Sequence, residues 1–525
     1  MTGDISAGGI FVPSEESAVV GEEVELALKL PNNQEVKLVG KVVVVIDKER
    51  AEQLGKSPGL GIQIIPPTEP READEFETLL KIARARIPAA PEELPALFDE
   101  SRPLIMPPEA TTRLRPKAKP KPEPQAPPAA PEVFARTPGP DPIVGIDLGN
   151  TYTSVAVCRD NQISVLRDSS GHQRIATAVA FPDRHQMLVG NVARQQLAHN
   201  PDSTVVSLRR ILGRAYRDRE IEQFLFSANY KAEEAADGSV TVMIHKEPHA
   251  VAQLLSYVLA EIKRIAEKHL EREVRRAVIT VPANFGEPQI KALRRAAKMA
   301  HLEVVALIDE PTAATLANRQ SHGFEGVIGI YDFGGGTFDI SLVDVSSGDF
   351  RVLVTGGDSW LGGDDFDAAL SNAVADRLWR THNVEIRHRA VELQKLLMAC
   401  EKTKRTLSTE TEAQLIVPQL LRTESGMVDV RMSIDRGTFR KLCDPVIEQS
   451  LETVRQAMTQ AEIRPDQMSA IFLSGGSTYI PAVRDALQAS FGVRPTAGVA
   501  PEYAACVGAA IYAAHLQARL STTRD

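Results

Sequence analysis

The 525-residue chain has only four cysteines, Cys158, Cys400, Cys443 and Cys506, and they stand far apart with no C-x-x-C pair. That spacing argues against a disulfide framework, a zinc site or a redox motif, and favours buried thiols in a reducing compartment. Long apolar runs are also missing. The most apolar stretch, VVVVI at 42–46, is far too short to span a bilayer, and TGDISAGGIF after Met1 lacks the charged start and apolar core of a signal peptide. A cytoplasmic protein with no membrane span is expected. There is no excess of positive charge either: 60 Lys and Arg against 69 Asp and Glu leave −9. A surface built to neutralise many phosphates, and so general nucleic-acid binding, is thereby disfavoured. Finally, no G-x-x-x-x-G-K-[ST] occurs, which excludes a P-loop enzyme.

What is present points to a soluble, folded chain of roughly two to four units, 43% apolar and 25% charged. Residues 1–87 read as short strands separated by turns: GGIFV, EVELALKL, a PNNQ turn, EVKLVGKVVVVI and GLGIQII, closed by a helical READEFETLLKIARARI at 71–87. Alternation places Val24, Leu26, Leu28 and Leu30 on one strand face. Between 88 and 142 the composition changes, with 16 of the 34 prolines in 55 residues. Such a stretch acts as an extended spacer, its Lys and Arg serving solvation or, alternatively, a partner or anionic surface. From 143 to 516 apolar runs alternate with amphipathic helices, the pattern of an α/β fold. The clearest helix lies at 250–270, with Val251, Leu254, Leu255, Val258, Leu259, Ile262 and Ile265 on one stripe. A short tail, 517–525, follows.

Two segments share one plan. IVGIDLGNTYTSVAV at 143–157 and VIGIYDFGGGTFDISLV at 327–343 each run apolar strand, Asp, glycine turn, Thr, apolar strand. Glycines at such a turn let backbone N–H groups crowd a phosphate oxygen, and the Asp at each strand end can hold Mg²⁺ through its water shell. Either turn alone is compatible with a plain hairpin. Their near repetition suggests an internal duplication that grips a polyphosphate from both sides.

At these residues the sequence resembles the nucleotide-binding domain of the DnaK-type heat-shock chaperones of the seventy-kilodalton class, within the actin-like ATPase superfamily. The likeness runs over 143–516 through GIDLGNT, SLRRILGR, AVITVPANF, IDEPTAA, YDFGGGTFDIS, LGGDDFD, CEKTKRTLS, LSGGSTYIP and GAAIYAA, in that order. It implies a two-lobed actin-like ATPase, a duplicated ribonuclease H-like α/β domain, binding ATP or ADP with Mg²⁺. By position, Asp147 and Asp332 would lie beside the metal. Gly149, Asn150, Thr151 and Tyr152, with Gly334, Gly335, Gly336 and Thr337, would surround the phosphates, and Gly362, Gly363 and Asp364 the phosphates and sugar. Glu401, Lys404, Arg405 and Ser408, at helical i, i+3, i+4 and i+7 spacing, would line the nucleoside pocket opposite Gly475, Gly476, Ser477, Tyr479 and Glu502. In catalysis Glu310 and Asp332 would orient the attacking water, and Thr337 would meet the γ-phosphate.

The departures from the family matter as much. Arg209 stands where the family has a catalytic lysine, and a guanidinium does not replace a compact ammonium, so weak hydrolysis is expected. Asn150 replaces a Thr, and Tyr479 an adenine-packing arginine. Ile290 replaces an arginine that relays nucleotide state, and Ala306 one that touches J-domain cochaperones, which puts a cochaperone partner in doubt. No peptide clamp follows the last motif. The first domain resembles a PilZ domain, the small β-barrel that binds cyclic di-GMP in bacteria, through Asp4, Ser6 and Gly9 of its D-x-S-x-x-G element. The family's arginine-rich half has no room before Met1, so either the true start lies upstream or the unit serves as a protein-contact domain and does not bind the dinucleotide, the second being expected. The functions expected are a weak ATPase used in regulation or assembly with an unknown protein partner, a non-hydrolysing nucleotide switch, or, with least support, a polymer former.

Overall fold

The computed structural model describes residues 141–522 apart from 160–161, 322–323, 347–348, 383 and 424–425. Of the preceding chain it describes the strands Ile5–Ser6, Gly9–Pro13, Glu23–Lys29, Glu35–Ile46, Gly59–Ile64 and Ile105–Met106. The chain divides into two units, 1–101 and 102–525. In the first, the four expected strands and the short Ile5–Ser6 form one antiparallel five-stranded sheet, ordered Ile5–Ser6, Gly9–Pro13, Gly59–Ile64, Glu35–Ile46, Glu23–Lys29. Ser6 and Gly9 of the D-x-S-x-x-G element pair with each other. Asp4, the PNNQ turn and the expected helix at 71–87 lie outside the described residues.

The second unit is built on two sheets with the same strand order and sense. In one, Ile143–Leu148 lies between its hairpin mate Tyr152–Arg159, antiparallel, and Arg276–Val281, parallel, with Glu303–Asp309 outermost. In the other, Gly326–Phe333 lies between Phe338–Ser346, antiparallel, and Met468–Ser474, parallel, with Pro495–Thr496 outermost. A third strand pairs beyond each hairpin mate, Gln162–Val165 in the first sheet and Asp349–Asp358 in the second. The duplication read from the two turns thus extends to five strands. One piece of the proline-rich spacer departs from the expected plain extension: Ile105 and Met106 pair with Val430 and Asp429 of strand Gly426–Asp435. Apolar residues between Pro103 and Pro107 keep the backbone N–H groups that prolines lack.

Helix Val251–Leu270 covers the first sheet, all seven residues of its stripe being buried in one core cluster. Two helices tie the sheets together. Glu310–Ser321 sends Ala313 into a cluster with Val278 and Ile308 of the first sheet, and Ala314 into one with Ile328 and Ile330 of the second. Ala504–Thr522 does the same with Ala509 and Ala504. Where they cross, an added Cβ on Gly508 would stand 1.8 Å from the Ala313 carbonyl oxygen, so only a residue with no side chain allows that approach. The last helix runs to Thr522, past Leu516, and the Gln517 side chain accepts from the Ile143 N–H at 3.1 Å. No helix among the described residues is long and apolar enough to cross a membrane. None of the four cysteines is in a disulfide, and Cys400, Cys443 and Cys506 are buried.

Candidate functional site

The two glycine turns meet. A Cβ on Gly335 would lie 2.3 Å from Thr151 Oγ1 of the opposite turn, so the repeated hairpins face each other across a shared cleft at the strand ends. Asp147, Gly149, Asn150, Thr151, Tyr152, Arg209, Glu310, Asp332, Gly334, Gly335, Gly336, Thr337, Gly475, Gly476 and Glu502 line one cavity there. An adjoining cavity shares several of these residues and adds Gly363, Asp364, Glu401, Lys404, Arg405, Ser408, Ser477 and Tyr479. Gly362 is the exception: it packs against the backbone of Gly336, behind the turn, and lines neither cavity.

The first cavity is an acidic nest with one buried cation. Thr280 donates to Asp147 at 2.9 Å and Ser474 to Asp332 at 2.8 Å. Burial, then the charge of Glu310, pushes Asp147 up to about 6 and Asp332 up to about 7. The same two causes hold Asp339, directly across the ladder from Asp332, well above the usual carboxylate range. Arg209, 6% exposed, pairs with Glu310 and donates to the Leu148 carbonyl at 3.1 Å. Burial works against its charge, but Glu310 and Asp147 outweigh that and raise its pKa.

These residues suit a magnesium–polyphosphate. Carboxylates raised by burial and mutual repulsion are relieved by a dication, and their oxygens are the ligands that hydrated Mg²⁺ accepts. No three His, Cys, Asp or Glu side chains among the described residues converge on one direct metal position. Asn150, only 5% exposed, has neither amide nitrogen nor amide oxygen partnered. A buried amide left unmatched in this way is costly unless something enters the cleft to meet it.

The second cavity is built on helix Ala390–Leu407, whose one face brings Glu401, Lys404 and Arg405 to its rim, with Ser408 at the C-cap. Lys404 donates to the Gly363 carbonyl at 2.6 Å and to Asp367 at 2.7 Å. Tyr479 gives its hydroxyl to Glu502 and has Arg484 5.5 Å from its ring centroid. Sequence reasoning missed several participants. Arg174 lines both cavities and lies 5.0 Å from the Tyr152 ring centroid. Arg194, on the short helix Asn191–Gln195, bridges to Glu401 at 2.9 Å and also donates to the Tyr152 hydroxyl. No local pattern marks either arginine, because Arg174 comes from a loop and Arg194 from a short helix, both outside the motifs.

Comparison with known families agrees with this geometry. The family model described as Hsp70 protein matches residues 143–524, more than half of the chain, and the PilZ domain model matches residues 1–81. With its paired turns, acidic nest and adjoining cavity inside the matched region, the chain belongs to the Hsp70 family and carries a PilZ-like domain ahead of the family's nucleotide-binding region.

Proposed function

We propose that this protein binds ATP and ADP with Mg²⁺ between two actin-like lobes, each a ribonuclease H-like copy, and hydrolyses ATP weakly in a cytoplasmic regulatory or assembly role. The observation that carries this reading is the meeting of the two repeated turns around Asp147, Asp332 and the unmatched Asn150. In this reading Asp147 and Asp332 hold Mg²⁺ through its waters. When bound, the ion neutralises phosphate charge. Gly149 to Tyr152 and Gly334 to Thr337 surround the phosphates, with Asn150 adding an amide donor, and Glu310 and Asp332 orient the attacking water while Thr337 faces the terminal phosphate. The protein contributes mainly position and charge. Glu401, Lys404, Arg405 and Ser408 take the nucleoside opposite Gly476, Ser477 and Tyr479. The PilZ-like domain supplies the link to a cyclic dinucleotide or a protein partner.

Calorimetry on the full chain with ATP and Mg²⁺ tests this. The expected result is a dissociation constant in the micromolar range or tighter, roughly −8 kcal/mol, and absence of heat together with absence of nucleotide-dependent protease protection would reject it. A second reading, a non-hydrolysing switch, is supported by the Arg209–Glu310 pair, which engages the water-orienting carboxylate.

The Arg194–Glu401 bridge adds a further expectation. It spans the two lobes beside the nucleoside cavity with both side chains mostly covered, 23% and 17% exposed. Arg194→Ala should therefore speed release of a fluorescent ADP analogue roughly three- to tenfold, the range for losing one partly buried ionic contact. An unchanged release rate would show that closure does not depend on this pair.

A further inference from the structure

Arg210 is the neighbour of Arg209 on the short helix Leu208–Ile211, yet it serves a different partner: its guanidinium donates to the carbonyl of Gly336, in the opposite lobe's glycine turn. Two rings hold it there. Its guanidinium carbon lies 4.6 Å from the Trp360 centroid and 5.3 Å from that of Phe224, and the rings themselves are 5.6 Å apart. Phe224 belongs to helix Arg219–Ser227 of the first lobe, whereas Trp360 follows strand Asp349–Asp358 of the second and packs onto the first lobe's core. The cation and its rings therefore form a clasp across the lobes, of the kind aromatic faces give a desolvated guanidinium.

The clasp acts on the turn that faces the phosphates. The Gly334 carbonyl accepts from Gly363 N–H at 3.0 Å and from Ser477 at 2.8 Å, and the Gly335 carbonyl accepts from Asp364 N–H at 2.7 Å. Those anchors come from the second lobe itself. The third carbonyl, of Gly336, is anchored from the first lobe by Arg210. In a trans peptide the carbonyl and the following N–H point in opposite directions. Three tethered carbonyls consequently turn the N–H groups of Gly335, Gly336 and Thr337 away from their anchors, as an anion-binding nest requires. Asn150 reaches the same place, its amide nitrogen being 2.8 Å from where a Cβ on Gly336 would stand and Arg210 3.0 Å.

We propose that Arg210, clamped by Phe224 and Trp360, is a positioning residue for the phosphate tail: it sets the Gly336–Thr337 peptide, so that the cradle is complete only when the lobes are together. This rests on the ATP reading and adds to it a residue that acts through the turn and not by touching the nucleoside. Burial works against the Arg210 charge, with Asp364 and Asp365 offsetting it only in part, so its pKa is lowered and its hold on a neutral carbonyl depends on the surrounding rings.

The test is calorimetry of the full chain with ATP–Mg²⁺ and with adenosine, for wild type, Arg210→Met, Arg210→Lys, Trp360→Phe and Trp360→Ala. Methionine keeps a stem between the rings and removes every donor. Arg210→Met should weaken ATP binding at least tenfold while leaving adenosine affinity within twofold and the thermal midpoint unchanged. Lysine should recover part of the loss, Trp360→Phe most of the wild-type affinity, and Trp360→Ala should cost about threefold and add nothing on top of Arg210→Met. An equal loss for ATP and adenosine would overturn the proposal, as would unaltered ATP binding in Arg210→Met or a lysine variant no better than methionine. Failure of the wild type to bind ATP would instead overturn the nucleotide reading, and the proposal with it.

Discussion

Arg209→Lys should raise single-turnover hydrolysis of bound ATP at least tenfold, about 1.4 kcal/mol off the barrier, with ATP affinity changed no more than a few-fold. The reason is geometric. One Arg209 nitrogen, Nη1, pairs with Glu310 and reaches the Leu148 carbonyl at the same time, which holds a carboxylate that the proposed reading gives to the attacking water and sets a rigid guanidinium plane beside Asp147 and Asp332. A lysine ammonium is compact and carries no planar fork, so it leaves more of that space open. Quench-flow with radiolabelled ATP measures the step. If the variant were no faster and the wild type already turned over, Arg209 would not be the limiting feature; a large gain from an inert wild type would identify a disabled enzyme.

The second large effect concerns the fold. In an exposed helix, Gly to Ala stabilises by up to about 1 kcal/mol, and propensity alone predicts that Gly508→Ala should help. Contact predicts the reverse. The new methyl would meet the Ala313 carbonyl oxygen at 1.8 Å and its carbon at 2.3 Å, and both are backbone atoms of a helix packed against two sheets. Relief demands separation of the helices, so we expect destabilisation of about 3 kcal/mol or more, read as a lowered denaturant midpoint and poor soluble yield. A midpoint at or above that of wild type would mean the helices cross more loosely than described.

Much of this architecture was legible before any coordinates because it depends on short-range pattern. The stripe at 251–265 is a helix face, the alternating segment from Val24 lies on strand Glu23–Lys29, and the two Asp–glycine–Thr turns show their common plan in fifteen or so residues each. Polar partnerships were not legible in the same way. Arg209 meets Glu310 across 101 positions, Arg194 meets Glu401 across 207, and Phe224 of helix Arg219–Ser227 meets Trp360 beyond strand Asp349–Asp358. No periodicity encodes such pairings, since the partners sit on separate helices and turns far apart in the chain. Gly362 shows a packing role that likeness alone does not give: a Cβ there would meet the backbone of Gly336 at 2.5 Å.

The contact at Gly508 and Ala313 also bears on movement. Were the two sheets to rotate about so narrow a joint, it would serve as the pin of a pair of scissors, where a rotation too small to disturb the pin carries the far tips through the widest arc. In the nucleotide-binding reading proposed above, leverage over exchange would then belong to whatever grips the tips, distant from the chemistry.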